Sequence, residues 1–156
     1  ASQFSYKIPS WSEYAEVFRA LIGKYDLKNY EFIIEPGMGL VANAFDYISE
    51  VIDIKENSKE TIALLNASIL FLKPTGHTKA LEYEVEASSL ASKNIRYTLA
   101  GMSCMESDVL GSYEGHLEIG TKVKFKNVGA YTLSYRNNFI FNEPEVIHEP
   151  SLEEIR

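Results

Sequence analysis

The sequence predicts a mainly β chain in which a single helix–strand unit precedes an antiparallel β-barrel or β-sandwich. Three observations support this fold class. A capped amphipathic helix begins near residue 10, an apolar run follows it, and several later segments alternate apolar with charged or polar residues. The chain has 156 residues, of which 46% are hydrophobic and 24% charged, so it can form a folded domain with a core.

The helix–strand unit is predicted over residues 10–36. Ser10 and Glu13 form an S-x-x-E capping box, in which each side chain accepts a hydrogen bond from a free backbone N–H of the first turn. An apolar stripe follows at helical spacing, made of Trp11, Tyr14, Ala15, Phe18 and Ile22. Gly23 is predicted to end the helix, because glycine enters the left-handed region cheaply. The consecutive apolar residues 32–34 predict a strand buried on both faces.

The later segments predict the β-domain. Residues 81–86 alternate apolar with acidic side chains, and residues 122–126 alternate apolar with basic ones. We expect these two strands to be neighbours, since opposite charges attract across a strand pair. Further strands are predicted at residues 62–65, 95–99, 131–135 and 139–141, and from about Tyr47 onward. Loops are predicted at residues 57–59, 74–76 and 87–89.

Composition argues against several classes of partner and site. The net charge of −7 argues against nucleic acid, because a surface that neutralises phosphates needs an excess of Lys and Arg. The longest apolar run, residues 69–72, has the length of a strand, so no membrane partner is expected. One cysteine cannot form an internal disulfide, which fits a cytoplasmic protein. The three histidines lack the spacing of a metal site.

Three short motifs contain residues that could carry chemistry, and each also has a purely structural explanation. Glu35 follows the predicted buried strand, beside two glycines that allow close backbone approach to a ligand; a tight turn with a solvated acid explains it equally. Cys104 lies in a loop with acidic neighbours, which favour a neutral thiol suited to proton donation. It could also be a small buried side chain. Tyr131 follows a glycine, and most tyrosines simply pack.

Taken in order, the three motifs resemble a known family. The segments IIEPGMGLVANAF…VIDIK, LAGMSCMESDVLG and KFKNVGAYTL resemble the C-terminal part of the fold-type-III pyridoxal-phosphate (PLP) decarboxylases. That family includes ornithine, arginine and diaminopimelate decarboxylases of polyamine and lysine biosynthesis. The resemblance implies that residues 1–36 are the last helix–strand unit of a PLP-binding TIM barrel, and that residues 37–156 form the C-terminal β-barrel domain.

The resemblance also implies roles for individual residues. Glu35 would pair with the pyridinium nitrogen of pyridoxal 5'-phosphate, and Gly37, with its neighbours, would hold the cofactor phosphate. Tyr131 would add a hydroxyl contact to that phosphate. Cys104 would reach into the partner subunit's site of a homodimer and return a proton to the amino-acid substrate after carbon dioxide leaves. Asp108 matches a family aspartate at the dimer interface.

The sequence departs from the family pattern at two positions. Met38 stands where the family usually has a phosphate-binding arginine, and Met105 stands where an acid commonly recognises the substrate's distal amine. Glu106, the next residue, is the nearest acid that could replace it. These departures leave a non-catalytic homologue as one alternative. A PLP-dependent racemase, which would share the cofactor, is another.

No segment matches the family's Schiff-base lysine, which belongs to its N-terminal barrel. The expectation is therefore a fragment whose partner is a missing barrel domain. On its own such a fragment would not be catalytic, and the carboxy-lyase activity would belong to the intact parent.

Overall fold

A computed structural model of the chain describes residues 9–73, 80–86 and 94–148. The predicted loops at residues 74–76 and 87–89 lie outside these ranges, whereas residues 57–59 form a loop as predicted. The described part contains four α-helices, α1 (Trp11–Lys24), α2 (Met38–Val41), α3 (Ile69–Leu72) and α4 (Tyr131–Tyr135), and a 3-10 helix at Ala42–Ala44. Its six strands are β1 (Tyr47–Glu56), β2 (Thr61–Leu65), β3 (Tyr83–Val85), β4 (Ile95–Ala100), β5 (Val109–Gly115) and β6 (Lys122–Phe125).

The six strands of the described residues form one mixed sheet in the order β3-β6-β1-β2-β4-β5. Strands β2 and β4 run parallel, and each of the other neighbouring pairs is antiparallel. The predicted pairing of the acidic and basic strands is confirmed, since Glu84 lies opposite Lys124. Lys126 also forms an ion pair with Glu84.

The sheet curls into a half-barrel whose two edge strands are joined by one side chain. The Tyr83 hydroxyl on β3 donates a hydrogen bond of 2.5 Å to the Ser112 carbonyl on β5 and accepts one of 3.2 Å from the Ser112 N–H. Gly111 makes this approach possible, because a Cβ there would lie 2.7 Å from Cε1 of the Tyr83 ring. Edge strands expose unpaired backbone groups. The Tyr83 hydroxyl satisfies two of those on β5.

The concave side of the sheet holds the core. Its buried apolar residues come from all the strands but β3, and from α3 and the loops beside the sheet: Val51, Ala63, Leu65, Ala67, Phe71, Leu72, Tyr97, Leu99, Leu110, Leu117, Val123, Phe125 and Val128. Phe71 lies between two aromatic neighbours, with ring centroids 6.4 Å from Tyr47 and 6.2 Å from Phe141. This cluster is the main apolar stabilisation of the β-domain.

The helix of the predicted helix–strand unit is present, and its strand is not. Ser10 caps α1 through the capping box, with the Ser10 N–H donating to the Glu13 carboxylate at 2.7 Å. Residues 31–36 have no regular structure, and Ile33 is 85% exposed. A strand needs a neighbour to pair with its backbone, and no described strand lies beside this segment. None of the α1 side chains is buried, so the burial expected for its apolar stripe is not seen.

The predicted C′ position of α1 at Gly23 is wrong by three residues. The helix continues through Lys24 to a C-cap at Tyr25, and the Tyr25 N–H still donates to the Leu21 carbonyl at 3.1 Å. The positive φ angle of 48° occurs at Asp26. Aspartate tolerates the left-handed region better than most residues, which explains why no glycine is needed there.

Residues 131–135, predicted as a strand, form a helix, and so does the apolar run 69–72, which has only the length of a strand. Residues 69–72 form α3 because Ser68 caps it, accepting a hydrogen bond of 3.2 Å from the Leu70 N–H. Residues 131–135 form α4, in which the rings of Tyr131 and Tyr135 stack edge to face at 5.9 Å. The strand before it, β6, already has neighbours on both sides, so the chain leaving β6 finds no free edge there. Residues 139–141 also form no strand.

Candidate functional site

Two irregular turns with matching backbone geometry form the centre of the candidate site. Gly37 has φ 54° and ψ −131°, and Ala130 has φ 55° and ψ −129°. Each turn is followed directly by a short helix, α2 or α4. Glycine adopts this geometry readily, whereas a residue with a Cβ does so only under strain. The strain at Ala130 marks this turn as one that its surroundings hold in place.

The segment before α4 is docked on the segment after Gly37. The Gly129 N–H donates to the Ala42 carbonyl and the Val128 N–H to the Phe45 carbonyl, both at 2.9 Å. A Cβ on Gly129 would lie 2.0 Å from the Val41 carbonyl oxygen, so only glycine fits between the two backbones. This contact fixes the position of one turn relative to the other.

Asp46 strengthens the same junction. Its carboxylate accepts a hydrogen bond of 3.2 Å from the Asn127 N–H and forms a 2.9 Å ion pair with Lys124. Partial burial acts to raise the pKa of Asp46, but the Lys124 ammonium and the Asn127 N–H outweigh it, and the pKa lies below its usual value. The charged carboxylate is therefore the form that the folded chain favours.

The docking brings together two of the residues assigned to cofactor binding. The Tyr131 hydroxyl lies 3.9 Å from the position that a Cβ on Gly37 would occupy. The Tyr131 side chain is 44% exposed, so its hydroxyl can donate to a ligand held at Gly37. Met38, the next residue, is 37% exposed and brings no charge to this surface.

Glu35 precedes this pair on an exposed stretch of chain. Within the described residues its carboxylate makes no hydrogen bond or ion pair, so it is available to a ligand. It lines an open groove of about 830 Å³ between α1 and residues 34–39. Apolar side chains of α1, including Trp11, Tyr14, Phe18 and Ile22, form most of the opposite wall.

The Cys104 loop is built around a buried carboxylate. Asp108 is 2% exposed, and its oxygens accept hydrogen bonds from the Ser68 hydroxyl at 2.9 Å, the Ile69 N–H at 2.8 Å and the Ser103 N–H at 3.1 Å. A Cβ on Gly101 would lie 2.3 Å from this carboxylate. Asp108, which the resemblance assigns to a dimer interface, thus accepts three hydrogen bonds from within the chain.

The four residues between Ser103 and Asp108 are exposed. Cys104 and Glu106 are exposed, and Met105 is 39% exposed. Within the described residues, no hydrogen bond, ion pair or ring contact joins this loop directly to the Gly37–Tyr131 pair. The predicted site residues therefore form two groups, a Gly37–Tyr131 group next to Glu35 and a Cys104 group.

Helix α3 lies between these two groups. Ser68 and Ile69 bond to Asp108 on the loop side, and the Leu70 carbonyl accepts a hydrogen bond of 3.2 Å from the Asn137 N–H, just after α4. Sequence reasoning missed this helix and its cap Ser68. The only sequence signal was a serine directly before the longest apolar run, in the position of an N-cap.

The described residues contain neither a metal-binding cluster nor a helix that could span a membrane. Within residues 9–73, 80–86 and 94–148, no three His, Cys, Asp or Glu side chains lie close enough together to hold a metal ion. In the same part of the chain, no helix is long and apolar enough to cross a bilayer.

Comparisons with known proteins identify relatives of one kind. No protein-family model matches the sequence. The diaminopimelate decarboxylase of Methanocaldococcus jannaschii is 26% identical over 137 residues, covering 85% of this chain and 31% of the relative. The carboxynorspermidine/carboxyspermidine decarboxylase of Campylobacter jejuni is 28% identical over 130 residues, covering 74% of this chain and 33% of the relative. The chain thus spans about a third of the length of the curated relatives it matches.

Solved structures give the same result for the fold. The M. jannaschii diaminopimelate decarboxylase superimposes with a TM-score of 0.73 at 26% identity, covering 86% of this chain and 32% of that one. The C. jejuni carboxynorspermidine decarboxylase, complexed with norspermidine, has a TM-score of 0.63 at 25% identity, covering 83% and 39%. The resemblance predicted from the three motifs is confirmed, and the chain is similar to the C-terminal part of the fold-type-III PLP-dependent decarboxylases.

Proposed function

We propose that this chain is part of a PLP-dependent amino-acid decarboxylase and contributes residues from both of its groups to the active site. The observation that carries the proposal is the approach of the Tyr131 hydroxyl to Gly37, across two turns that hydrogen bonds hold together. The decarboxylase relatives support the reaction class. The active site would be shared between the subunits of a homodimer, and the substrate would be an amino acid.

The residues at Gly37 fit a cofactor phosphate in part. Gly37 has no side chain and an irregular backbone that leaves room for a phosphate, and Tyr131 offers a hydroxyl donor beside it. Met38 supplies no charge, and the loss of a charge-assisted hydrogen bond costs about 1.5–3 kcal/mol of cofactor binding. We therefore expect PLP to bind more weakly here than in a protein with arginine at this position.

Glu35 and Cys104 have complementary roles in this proposal. When bound, PLP would supply an electron-accepting ring for the loss of the substrate's carboxyl group as carbon dioxide. The Glu35 carboxylate, which has no partner within the described residues, would keep the ring nitrogen of the cofactor protonated and so increase its electron-accepting capacity. The exposed Cys104 thiol donates a proton to the substrate carbon that lost the carboxyl group. Glu106, also exposed, is the acid nearest in sequence for a substrate amine.

A non-catalytic homologue is the second candidate, and the two methionines favour it. Met38 and Met105 place apolar side chains, 37% and 39% exposed, where the family usually has an arginine and an acid. Such a protein would keep the fold without the reaction. A racemase would share the cofactor but would invert its amino acid without releasing carbon dioxide.

The test uses the full-length protein that contains this chain. Visible absorbance measures bound PLP, and carbon dioxide release is followed with diaminopimelate and with carboxynorspermidine as substrates. We expect both signals for a decarboxylase. Bound PLP with inversion of an amino acid identifies a racemase, and the absence of both PLP binding and carbon dioxide release refutes the proposal.

One variant pair tests the phosphate contact. Tyr131→Phe is expected to raise the Kd of PLP about tenfold or more, because a hydrogen bond to a charged group is lost. Tyr135→Phe removes the same hydroxyl from the ring stacked on Tyr131, and is expected to leave the Kd unchanged. Equal Kd values for the two variants would show that the Tyr131 hydroxyl does not contact the cofactor phosphate.

A further inference from the structure

We propose that Asp108 is a positioning residue for Cys104, acting from inside the chain by tying the Cys104 loop to helix α3. The inference rests on the proposed function of Cys104 as a proton donor. It differs from the interface role that the family resemblance implies for Asp108, because it needs no partner subunit to explain the burial of this carboxylate.

The geometry of the loop supports this role. Asp108 is the last residue of a loop closed by its own backbone, with the Gly101 N–H donating to the Asp108 carbonyl at 2.8 Å and the Asp108 N–H to the Met105 carbonyl at 3.0 Å. Its side chain turns into that loop and accepts the Ser103 N–H at 3.1 Å. Ser103 directly precedes Cys104, so this bond fixes the backbone next to the thiol.

The other two hydrogen bonds anchor the loop to the start of α3. The Ile69 N–H and the Ser68 hydroxyl, both at the start of α3, donate to the same carboxylate at 2.8 and 2.9 Å. The Met102 N–H adds a bond of 2.8 Å to the Ala67 carbonyl, also next to α3. A proton donor must be held within hydrogen-bond reach of the atom it protonates. A loop anchored at both ends meets that requirement better than a free one.

The space around the carboxylate shows that the arrangement depends on particular neighbours. Any Cβ on Gly101 would overlap the carboxyl group, at 2.3–2.4 Å from its atoms. Ser68 is 0% exposed and Asp108 2% exposed, so neither exchanges its partner for water. A solvent-exposed aspartate at this position would not need Ser68 as a hydrogen-bond donor or Gly101 to leave space for its carboxylate.

Asp108→Asn separates positioning from packing. Asparagine has nearly the same volume, but one carboxylate oxygen becomes an NH₂ donor, so in either orientation of the amide one backbone N–H faces a donor. We expect amide hydrogen exchange at Ser103 or Ile69 to rise about tenfold or more, while the core amides of Leu99 and Val123 stay protected. Asp26→Asn makes the same chemical change at an exposed residue and is expected to change none of these rates.

Activity provides the second measurement, in the full-length protein. Asp108→Asn is expected to lower kcat about tenfold with KM little changed, and to have no further effect when Cys104 is already alanine. An equal loss in both backgrounds, or unchanged exchange at both amides, overturns the inference. If the wild-type protein releases no carbon dioxide, the proposed function fails, and the exchange measurement still decides whether Asp108 anchors the loop.

Discussion

Gly129 is the position where one added methyl group has the most predictable effect on the candidate site. In Gly129→Ala, the new Cβ would lie 2.0 Å from the Val41 carbonyl oxygen and 2.9 Å from that of Ala42. Both contacts are with backbone, which cannot rotate away as a side chain does. The φ angle of Gly129 is not among the positive ones, so alanine can adopt the local backbone and the effect is steric.

The cost follows from the distances. A carbon–oxygen contact of about 3.3 Å requires the two segments to separate by about 1.3 Å. The Gly129–Ala42 hydrogen bond, now 2.9 Å, then exceeds hydrogen-bond range, and the Val128–Phe45 bond weakens with it. Two bonds at about 1 kcal/mol each give a loss of about 2 kcal/mol in the free energy of unfolding. For a chain of this size, that lowers Tm by about 4–8 °C.

Thermal denaturation followed by circular dichroism measures this change. The control is Gly23→Ala, because a Cβ at Gly23 has no neighbour within 4 Å. This glycine lies in the last turn of α1, where alanine is favoured by up to about 1 kcal/mol. We expect the control to keep or raise Tm. If Gly129→Ala has the same Tm as the control, the segments are not packed as tightly as described.

Three further changes test other parts of the structure. Tyr83→Phe is expected to lower the free energy of unfolding by about 1–2 kcal/mol in urea denaturation, because two backbone groups of Ser112 lose their partner. Ala130→Gly is expected to raise the free energy of unfolding by about 1 kcal/mol, because glycine adopts a φ of 55° without strain. A lower free energy of unfolding in this variant would contradict the assigned strain. The lowered pKa of Asp46 gives stability that is present above its unfolded value of 3.8 and is lost as pH falls below it. Asp46→Asn should remove this part of the acid sensitivity, by no more than about 1 kcal/mol because both partners are partly exposed, and added salt should reduce it.

Local sequence signals predicted the parts of the fold that depend on local chemistry. The capping box at Ser10 needs only residues three apart, and the structure contains it as predicted. The charge alternation of β3 and β6 predicted that they pair, because complementary faces identify neighbours even across 40 residues. The start of β1 near Tyr47 also agrees.

Tertiary context explains the errors. Residues 131–135 alternate as a strand does, but no sheet edge is free beside β6, so they close into a helix. Residues 69–72 are apolar enough for a strand, yet Ser68 and the distant Asp108 satisfy the first amides of a helix instead. Strand β5 was not predicted, because its two glycines weaken the strand pattern. Gly111 is there to admit the Tyr83 ring, a requirement that only the folded sheet reveals.

In the candidate site, too, local motifs could be predicted from the sequence and long-range contacts could not. The three motifs were readable from the sequence, and two of their residues, Gly37 and Tyr131, lie side by side in the structure. The docking through Gly129 and the anchoring through Asp108 were not readable, because each depends on a partner 40 or more residues away.

Helix α3 restricts where the chain can accept insertions and deletions. Its first residue, Ile69, carries the N–H donor that holds the Cys104 loop, and its second, Leu70, carries the carbonyl that accepts from Asn137. Inserting one residue between Ile69 and Leu70 would rotate these two groups by about 100° relative to each other. The thiol loop and the Tyr131 turn could then not both keep their anchors. Homologues should therefore vary the composition of this helix more freely than its length, and loops elsewhere in the β-domain should absorb their insertions.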